Sequence, residues 1–252
     1  MTRLPRNKIM EGISYFHILT SGLPRENIFK EDNIKRFYLN TLAEKAADMG
    51  VSVLAYCVMD NHSHLVVTAK NTADIPEFMR RLNTTYAKFY NRIKNRNGYV
   101  FKGRYESEPL ADKDMTENCI NFVHYNPCVA KMENFAADYP YSSARNYRFG
   151  NGLADMAAVE KLFGKVPEIS EFVSKEYDFL EEKPNEDCDT VLLDLIHRYK
   201  ITDKRILQDP EVLMAAIYEL QSRCGVSLRD VAYLLGIDRE KVRRTALKMK
   251  NL

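Results

Sequence analysis

Two histidines separated by one residue, His62 and His64, are the side chains of this sequence best suited to chemistry. They lie in the run 56–67, where the apolar pattern predicts two strands joined at 59–61. Alternate residues of a strand face the same side, so both imidazoles are expected to project together. Paired imidazoles at a strand edge can form half of a divalent-metal site. Two unrelated polar residues on the solvent side of a hairpin would give the same pattern.

A basic and aromatic stretch lies further along the chain, from residue 78 to residue 105. It contains eight Lys or Arg residues, no Asp or Glu, and tyrosines and phenylalanines interleaved with the cations. Cationic side chains neutralise phosphates, and aromatic faces stack on unpaired bases. A solvated helix face with its apolar stripe in the core would look similar. Because compensating acid is absent from the stretch, we favour a polyanionic partner.

Composition predicts a cytoplasmic protein with an apolar core. The 252 residues are 45% hydrophobic and 29% charged, enough for one large domain or two modest ones. No apolar run approaches the ~20 residues that cross a bilayer, and no apolar segment follows the basic start as in a secretory signal. The five cysteines are scattered without a C-x-x-C pair, which predicts free thiols in a reducing compartment. We therefore predict no membrane partner.

Hydrophobic periodicity predicts that strands and helices of the first half follow the order β-α-β-β-α-β, with a further helix after them. This is the order of a split ferredoxin-like or RRM-like α+β domain, whose antiparallel sheet has helices on one face and an open second face. An open face with two histidines and a basic rim would suit a nucleic acid. The predicted strands are 13–20, 51–59, 62–69 and an extended segment at 99–108, and the predicted helices are 31–48, 74–95 and 114–126, the last ended by Asn126-Pro127.

The C-terminal region has a different composition. An acidic, apolar-poor stretch near residue 181 predicts a linker, and residues 190–252 are almost continuously helical by pattern. Ser227 and Asp230 predict a capping box, Gly236 predicts a turn, and a basic helix follows, which together predict a helix-turn-helix in an all-α region. A plain helical hairpin with a solvated basic face is the alternative. The residues expected to reach bases or phosphates of duplex DNA are Arg239, Lys241, Arg243 and Arg244.

Four segments occur in an order that resembles a known family: MDNHSHL, YVFKGRYES, VHYNPCVAK and YPYSS, which start at residues 59, 99, 123 and 139. Together they are similar to the single-tyrosine HUH transposases, in the branch of the REP-associated tyrosine transposases. The resemblance covers about residues 5–148. It implies an HUH transposase or endonuclease domain at 1–148. The pattern of the remaining sequence predicts a connecting helical segment and acidic linker at 149–189 and a helical, helix-turn-helix-like DNA-binding domain at 190–252.

The resemblance also implies a chemistry. Members of this family cut and rejoin single-stranded DNA beside a hairpin, through a 5′-phosphotyrosine link and with the help of Mg²⁺ or Mn²⁺. It assigns His62 and His64 as metal ligands, with Asn126 as a third ligand one helical turn beyond the tyrosine. An Asn carbonyl suits a hard cation; Asn126 also fits a helix end before Pro127, and the two roles are compatible. The implied partner is hairpin-containing single-stranded DNA, bound by a monomer or a homodimer.

The nucleophile position departs from the family pattern. Where members have Tyr-(Ile/Val)-His-x-Asn-Pro, this chain has FVHYNP, with Phe122 at the tyrosine position and no oxygen to attack a phosphate. Tyr125 lies three residues on, about 60° around the helix and about 4.5 Å along it. Three explanations stay open: Tyr125 is the nucleophile, the protein is a natural descendant that binds DNA without cutting it, or an engineered Tyr→Phe change traps an inactive complex.

Basic residues of the first half are expected to contact the DNA. Two cations flank Gly103, where a small residue permits close approach of a backbone, and others lie on the basic helix or in a basic N-terminal arm. A surface turn and an untidy terminus are the alternatives. The predicted contacts are Arg3, Arg6, Lys88, Arg92, Lys102 and Arg104.

The sequence therefore predicts a metal-dependent transposase or single-strand DNA endonuclease. The alternative is a catalytically inactive DNA-binding or regulatory derivative, because Phe122 occupies the family tyrosine position. An RNA-binding protein is a more distant alternative, since a four-stranded sheet with aromatic side chains also suits RNA. The H-x-H pair argues against RNA, because stacking on bases needs no metal.

Overall fold

The computed structural model describes residues 14–24, 26–169, 177–181, 187–201, 207, 209–224 and 226–249. It divides the chain into two compact units, Met1–Glu182 and Lys183–Leu252, and each unit has its own buried apolar cluster. Residues 182–186, which are part of the predicted acidic linker, lie outside the described ranges, as do Arg3 and Arg6. None of the helices described is both long and apolar enough to span a membrane.

Four antiparallel strands form the sheet of the first unit: β1 Tyr15–Ser21, β2 Val51–Val58, β3 His62–Ala69 and β4 Glu106–Leu110. They lie side by side in the order β2-β3-β1-β4. The described helices of this unit are α1 Asp32–Met49, α2 Ile75–Ile93, α3 Lys113–Val129, α4 Ala144–Phe149 and α5 Met156–Phe163. Because α1 and α2 connect strands and α3 follows β4, the element order is the one that the periodicity predicts.

Local sequence signals determine where helices α1 and α2 end and begin. Gly50 follows α1 with a φ of 61°, and its N–H bonds back to the carbonyls of Ala46 and Ala47. This left-handed conformation is cheap for glycine, so Gly50 ends the helix, as the sequence predicts. Pro76 lies in the first turn of α2, where its missing N–H costs no helical hydrogen bond.

Strand β4 begins later than the predicted extended segment. The prediction starts at residue 99, whereas the strand starts at Glu106 and pairs with β1. The residues between them form a loop, which is attached to the end of β1 by a bridge between Phe101 and Gly22 and by a 3.0 Å bond from the Lys102 N–H to the Ser21 carbonyl. Aromatic residues give this loop the composition of a strand, so composition alone places the boundary wrongly.

Helix α3 does not end at Asn126-Pro127, and this prediction is wrong. The helix continues through Pro127 to Val129. Proline has no N–H to donate to the carbonyl of Val123, four residues earlier, so one helical bond is missing there, but the backbone stays helical for two further residues. The Asn126 carbonyl still accepts from the N–H of Ala130 at 3.0 Å. Asn126 therefore lies inside the helix, one turn after Phe122.

Both faces of the sheet are covered, so the prediction of one open face is wrong. Ser63 and His64 are neighbours in β3 and point to opposite faces. The Ser63 hydroxyl lies 2.9 Å from the hydroxyl of Tyr38 in α1, and the His64 ring centroid lies 5.5 Å from that of Phe122 in α3. Helix α1 therefore lies on one face with α2 packed beside it, and α3 packs on the other face against β2, β3 and β4.

The second unit is helical in its described residues. Its helices are α6 Cys188–Tyr199, α7 Pro210–Cys224, α8 Leu228–Leu235 and α9 Arg239–Met249, and they share a core of aliphatic side chains. The capping box predicted at Ser227 and Asp230 is present, with both reciprocal bonds made. Gly236 ends α8 with a φ of 61°, and the Ile237 N–H bonds to the Ala232 carbonyl at 3.0 Å before α9 begins.

A Ser227→Ala change is expected to loosen the start of α8. It removes the hydroxyl that accepts from the Asp230 N–H at 3.2 Å, and loss of such a cap costs about 1 kcal/mol. Hydrogen exchange of the α8 and α9 amides in the full chain measures this loss. Ser222→Ala is the matched control, because that exposed hydroxyl bonds only to a carbonyl of its own helix. Equal protection in both variants would contradict the prediction.

Candidate metal centre

His62 and His64 project together from one face of β3, as the alternation predicts. Their ring centroids are 4.9 Å apart, and the rings are nearly perpendicular at 88°. The two residues are 9% and 0% exposed, so they do not lie on the solvent side of a hairpin. A buried polar side chain is costly unless its nitrogens have partners, and the partners of these two rings therefore indicate what the site is for.

Each of the two rings uses Nδ1 and leaves Nε2 without a partner. His62 Nδ1 lies 2.7 Å from the amide oxygen of Asn61, and His64 Nδ1 lies 3.0 Å from Nε2 of His17. Both Nε2 atoms are buried and have no hydrogen-bond partner among the described residues. An amide oxygen only accepts, so His62 donates from Nδ1 and keeps its lone pair on Nε2. Two unpartnered imidazole nitrogens fit a pair of ligands to one divalent cation.

Both histidines are held in the form that a metal requires. Burial lowers the pKa of His62 from 6.5 to about 4. Burial, together with repulsion from the neighbouring His62 and His17, lowers the pKa of His64 well below 6.5. At pH 7 both rings are therefore neutral, and only a neutral imidazole offers a lone pair to a metal.

Phe122 occupies the place beside this pair where the family resemblance puts a tyrosine. It lies on α3, half-buried, with its ring edge-on to His64 at 5.5 Å and to His17 at 5.8 Å between centroids. Phe179, which is 7% exposed, packs on its other side at 5.5 Å. The helix thus aims the predicted nucleophile position at the histidines, but the side chain carries no oxygen.

Tyr125 lies at a different place from the histidine pair. It lines a cavity of about 380 Å³ together with Phe135, Tyr147 and Arg148, and the lining includes neither His62 nor His64. The 60° turn between residues three apart on a helix accounts for this separation. The structure therefore brings the H-x-H pair and position 122 together and places Tyr125 elsewhere.

Asn126, the predicted third ligand, is half-buried on α3. Its amide nitrogen donates to the carbonyl of Phe122 at 2.9 Å, one turn earlier. This bond fixes the amide and leaves its oxygen as the end that can accept or bind a cation. Among the described residues, no group of three His, Cys, Asp or Glu side chains could hold a metal.

His17 is a member of the site that sequence reasoning missed. It lies in β1 and is fully buried, with hydrogen bonds from both ring nitrogens. Its partners are His64 and Glu108, which lie on the two strands that flank β1. The available signal was a polar residue at alternating positions in β1 and β4, but only the strand order shows which residues meet. His124 is not part of this group and bonds instead to the Ser143 hydroxyl at 2.8 Å.

The basic stretch has acidic partners that come from outside it. Glu77 pairs with Arg80 and Arg81 on α2. Two acids between β1 and α1 pair with further cations of the stretch, Glu31 with Lys94 and Glu26 with Arg96. The absence of acid within 78–105 is therefore a weaker sign of a polyanionic partner than the sequence suggests. The predicted contacts Lys88, Arg92 and Arg104 are exposed and have no acidic partner in the described part of the chain.

The loop that carries Lys102 and Arg104 lies at the end of β1 next to the site. The Lys102 N–H bonds to the carbonyl of Ser21, and Ser21 pairs with His62 across the sheet. Both side chains are exposed. The two cations therefore lie near the end of the sheet that carries the histidine pair. Their positive charge favours the binding of an anion there.

The predicted basic face of α9 is only partly available. Arg239 is exposed, whereas Arg243 and Arg244 both pair with Glu240 of the same helix. Lys241 is half-buried, and its Nζ donates to the Leu207 carbonyl at 3.2 Å, so it acts within the second unit.

Comparisons with known proteins agree with the motif order. Residues 13–126 match the family described as Transposase IS200 like. No curated protein matches the chain. It is similar to a solved REP-associated tyrosine transposase bound to a REP hairpin, with 13% identity and a TM-score of 0.49 over 72% of this chain and 100% of that one. It is also similar to a crystal structure from Deinococcus radiodurans R1 described provisionally as a transposase, with 16% identity and a TM-score of 0.35 over 46% of this chain and 92% of that one. The family match thus covers somewhat less than half of the chain, and it lies in the part that carries the first two of the four motif segments and the start of the third.

Proposed function

We propose that the first unit binds a hairpin of single-stranded DNA at the His62 and His64 site, with a divalent metal, and that it holds the strand without cutting it. The observation that carries this proposal is the place of Phe122, whose ring lies 5.5 Å from that of His64, while Tyr125 lines a separate cavity. The family chemistry needs a hydroxyl at that place. The site is thus arranged for strand cleavage and lacks the nucleophile.

The fold of this unit supports the same proposal. A ferredoxin-like split domain has the same element order, β-α-β-β-α-β, as this unit, whose strands lie in the order β2-β3-β1-β4. Strand β3 carries both histidines of the motif, and α3 packs over them with position 122.

His62, His64 and the Asn126 oxygen are the residues that would hold the metal. A bound cation would supply Lewis acidity toward a phosphate of the strand. Asn61 orients His62, and the rings of Phe122 and Phe179 exclude water from the buried nitrogens. Two imidazoles and one amide oxygen favour Mn²⁺ over Mg²⁺, because Mg²⁺ prefers oxygen and keeps much of its water.

We further propose that the second unit binds duplex DNA as a helix-turn-helix. Support comes from the capped α8, the Gly236 turn and the exposed Arg239 at the start of α9. Arg243 and Arg244 would exchange the exposed carboxylate of Glu240 for a phosphate. Such exchange is cheap, because exposed ion pairs within a helix contribute little stability.

Mn²⁺ is expected to stabilise the first unit, and more strongly than Mg²⁺ at equal concentration. A ligand present at 100 times its Kd adds about 2.7 kcal/mol to the unfolding free energy. Thermal unfolding of the full chain with each metal measures the effect. His62→Ala and His64→Ala are expected to abolish it, whereas His197→Ala should not, because His197 is exposed in the second unit. A Mn²⁺ effect that survives both site variants would place the metal elsewhere.

Fluorescence anisotropy with labelled single-stranded hairpins tests the DNA part of the proposal. We expect the hairpin to bind more tightly than an unstructured strand of equal length. The Lys88→Ala, Arg92→Ala double variant should reduce the salt slope of log Kd by about 0.7 per lost phosphate contact. Arg80→Ala is the matched control, since Arg80 lies on the same helix and is already paired with Glu77. Equal affinity for hairpin and unstructured strand would overturn the proposal.

A further inference from the structure

A line of hydrogen bonds crosses three strands of the sheet and ends at a predicted metal ligand. Glu108 Oε1 in β4 lies 2.6 Å from Nδ1 of His17 in β1, and Nε2 of His17 lies 3.0 Å from Nδ1 of His64 in β3. His17 and His64 are fully buried, and their rings are nearly parallel at 16°. Strand β1 lies between β3 and β4, so the strand order itself brings a carboxylate, a first imidazole and a second imidazole into line.

The protons of this line have one consistent arrangement when the histidines are neutral. Glu108 Oε1 acts as an acceptor, because it also receives the N–H of Leu180 at 3.0 Å. Nδ1 of His17 therefore donates to it, which leaves the Nε2 of His17 as an acceptor. Nδ1 of His64 must then donate to His17, so that its lone pair lies on Nε2. That nitrogen is the one that is buried without a partner.

We propose that Glu108 and His17 are positioning residues that fix the tautomer and orientation of His64, so that its Nε2 is ready to bind the metal. The inference rests on the metal site of the proposed function and extends it to two residues outside the H-x-H motif. Groups that bond to the second nitrogen of a ligating histidine hold the ring and raise its basicity. A carboxylate at the end of the line is the strongest such acceptor.

The two histidines of the motif are thus prepared by different means. His62 receives its partner from the neighbouring residue, through a single bond to the Asn61 amide oxygen. His64 lies deeper in the sheet, and its partner must come from another strand. His17 reaches it from β1, and Glu108 holds His17 in turn from β4. The bond that orients His62 comes from the adjacent residue, whereas the bonds that orient His64 form only when the sheet has folded.

Metal affinity and tautomer state together test the proposal. Mn²⁺ affinity is measured by electron paramagnetic resonance on the full chain, and the tautomer of His64 by nitrogen-15 NMR in metal-free buffer. His17→Phe keeps a ring in place and removes both bonds. Glu108→Gln keeps an acceptor for His17 and removes the charge, so this variant is expected to fold. His124→Phe is the matched control, because it also removes a buried, hydrogen-bonded histidine of the first unit but lies off this line.

We expect His17→Phe to weaken Mn²⁺ binding by about tenfold or more and Glu108→Gln to weaken it by less, with His124→Phe within twofold of the unaltered chain. The His64 spectrum should show a proton on Nδ1 in the unaltered chain and a mixture in His17→Phe. Equal Mn²⁺ affinity in all four proteins, or a His64 proton on Nε2 in the unaltered chain, would overturn the proposal.

The outcome is separable from that of the proposed function. Hairpin affinity measured in parallel in metal-free buffer reports on DNA binding alone. Mn²⁺ binding that depends on His17, in a chain that binds no hairpin, would support the positioning roles of Glu108 and His17 and exclude the DNA role. Hairpin binding by a chain that takes up no Mn²⁺ would overturn the positioning roles of Glu108 and His17 and leave the DNA role in place.

Discussion

Phe122→Tyr is expected to form a covalent adduct with a single-stranded DNA hairpin in the presence of Mn²⁺, whereas the unaltered chain forms none. The ring at position 122 already lies edge-on to His64, so an added hydroxyl extends from a side chain that α3 has positioned. Its oxygen would bond to phosphorus, the bond from phosphorus to the 3′ oxygen would break, and that oxygen would leave as a hydroxyl once it takes up a proton. Mass spectrometry of denaturant-resistant products detects the adduct.

Two further variants control this experiment. Phe122→Tyr combined with His62→Ala and His64→Ala should lose the adduct, because the oxygen remains and the metal ligands do not. Phe122→Tyr combined with Tyr125→Phe should keep it, because Tyr125 lies at another cavity. An adduct of the unaltered chain that maps to Tyr125 would instead make Tyr125 the nucleophile and the protein an active transposase.

Acid is expected to begin destabilising the first unit at a pH above the range in which carboxylates titrate. Burial lowers the pKa of His62 to about 4, that of His124 to about 3 and that of His64 well below 6.5. The unfolded chain therefore binds protons at these residues below pH 6.5, whereas the folded chain does not. The stability is fully present above pH 6.5 and is lost as the pH falls toward 4, at about 4 kcal/mol per pH unit if all three contribute.

Hydrogen exchange of the β2 and β3 amides between pH 6.5 and 5, in metal-free buffer, measures this loss. His124→Gln should reduce the slope by about one third, because it removes one of the three sites that take up a proton on unfolding. His197→Gln should leave it unchanged, since His197 is exposed in the second unit. A stability that is flat over this range would show that the buried histidines do not control acid unfolding.

The parts of the fold that follow from local sequence were predictable. Alternation and helical spacing gave the order of strands and helices, Gly50 gave the end of α1, and Ser227 with Asp230 gave the start of α8. The H-x-H pair was predictable for the same reason, since two residues on one strand need no knowledge of another. Its burial was not, because α3 crosses the sheet face only in the folded chain.

The remaining parts of the site depend on pairing between distant segments. His17 and Glu108 are 91 residues apart, and only the position of β1 between β3 and β4 makes them partners. The ion pairs of the basic stretch are of the same kind, since Glu31 and Lys94 are 63 residues apart. Composition could therefore show the charges but not which of them are already neutralised. Pro127 differs from its prediction for another reason, because the helical bond that a proline cannot make is lost without ending the helix, which continues to Val129.

The segment 177–181 packs over the site, and it bonds to the same Glu108 oxygen that ends the line of hydrogen bonds through His17 and His64. Phe179 packs against His17 and Phe122, and the Leu180 N–H donates to the Glu108 Oε1 that His17 also contacts. A phosphate reaches the buried nitrogens only after some of these side chains move aside. For the DNA strand of the proposed function, the rate of engagement would then be limited by the opening of this segment rather than by diffusion, and it should level off as the DNA concentration is raised.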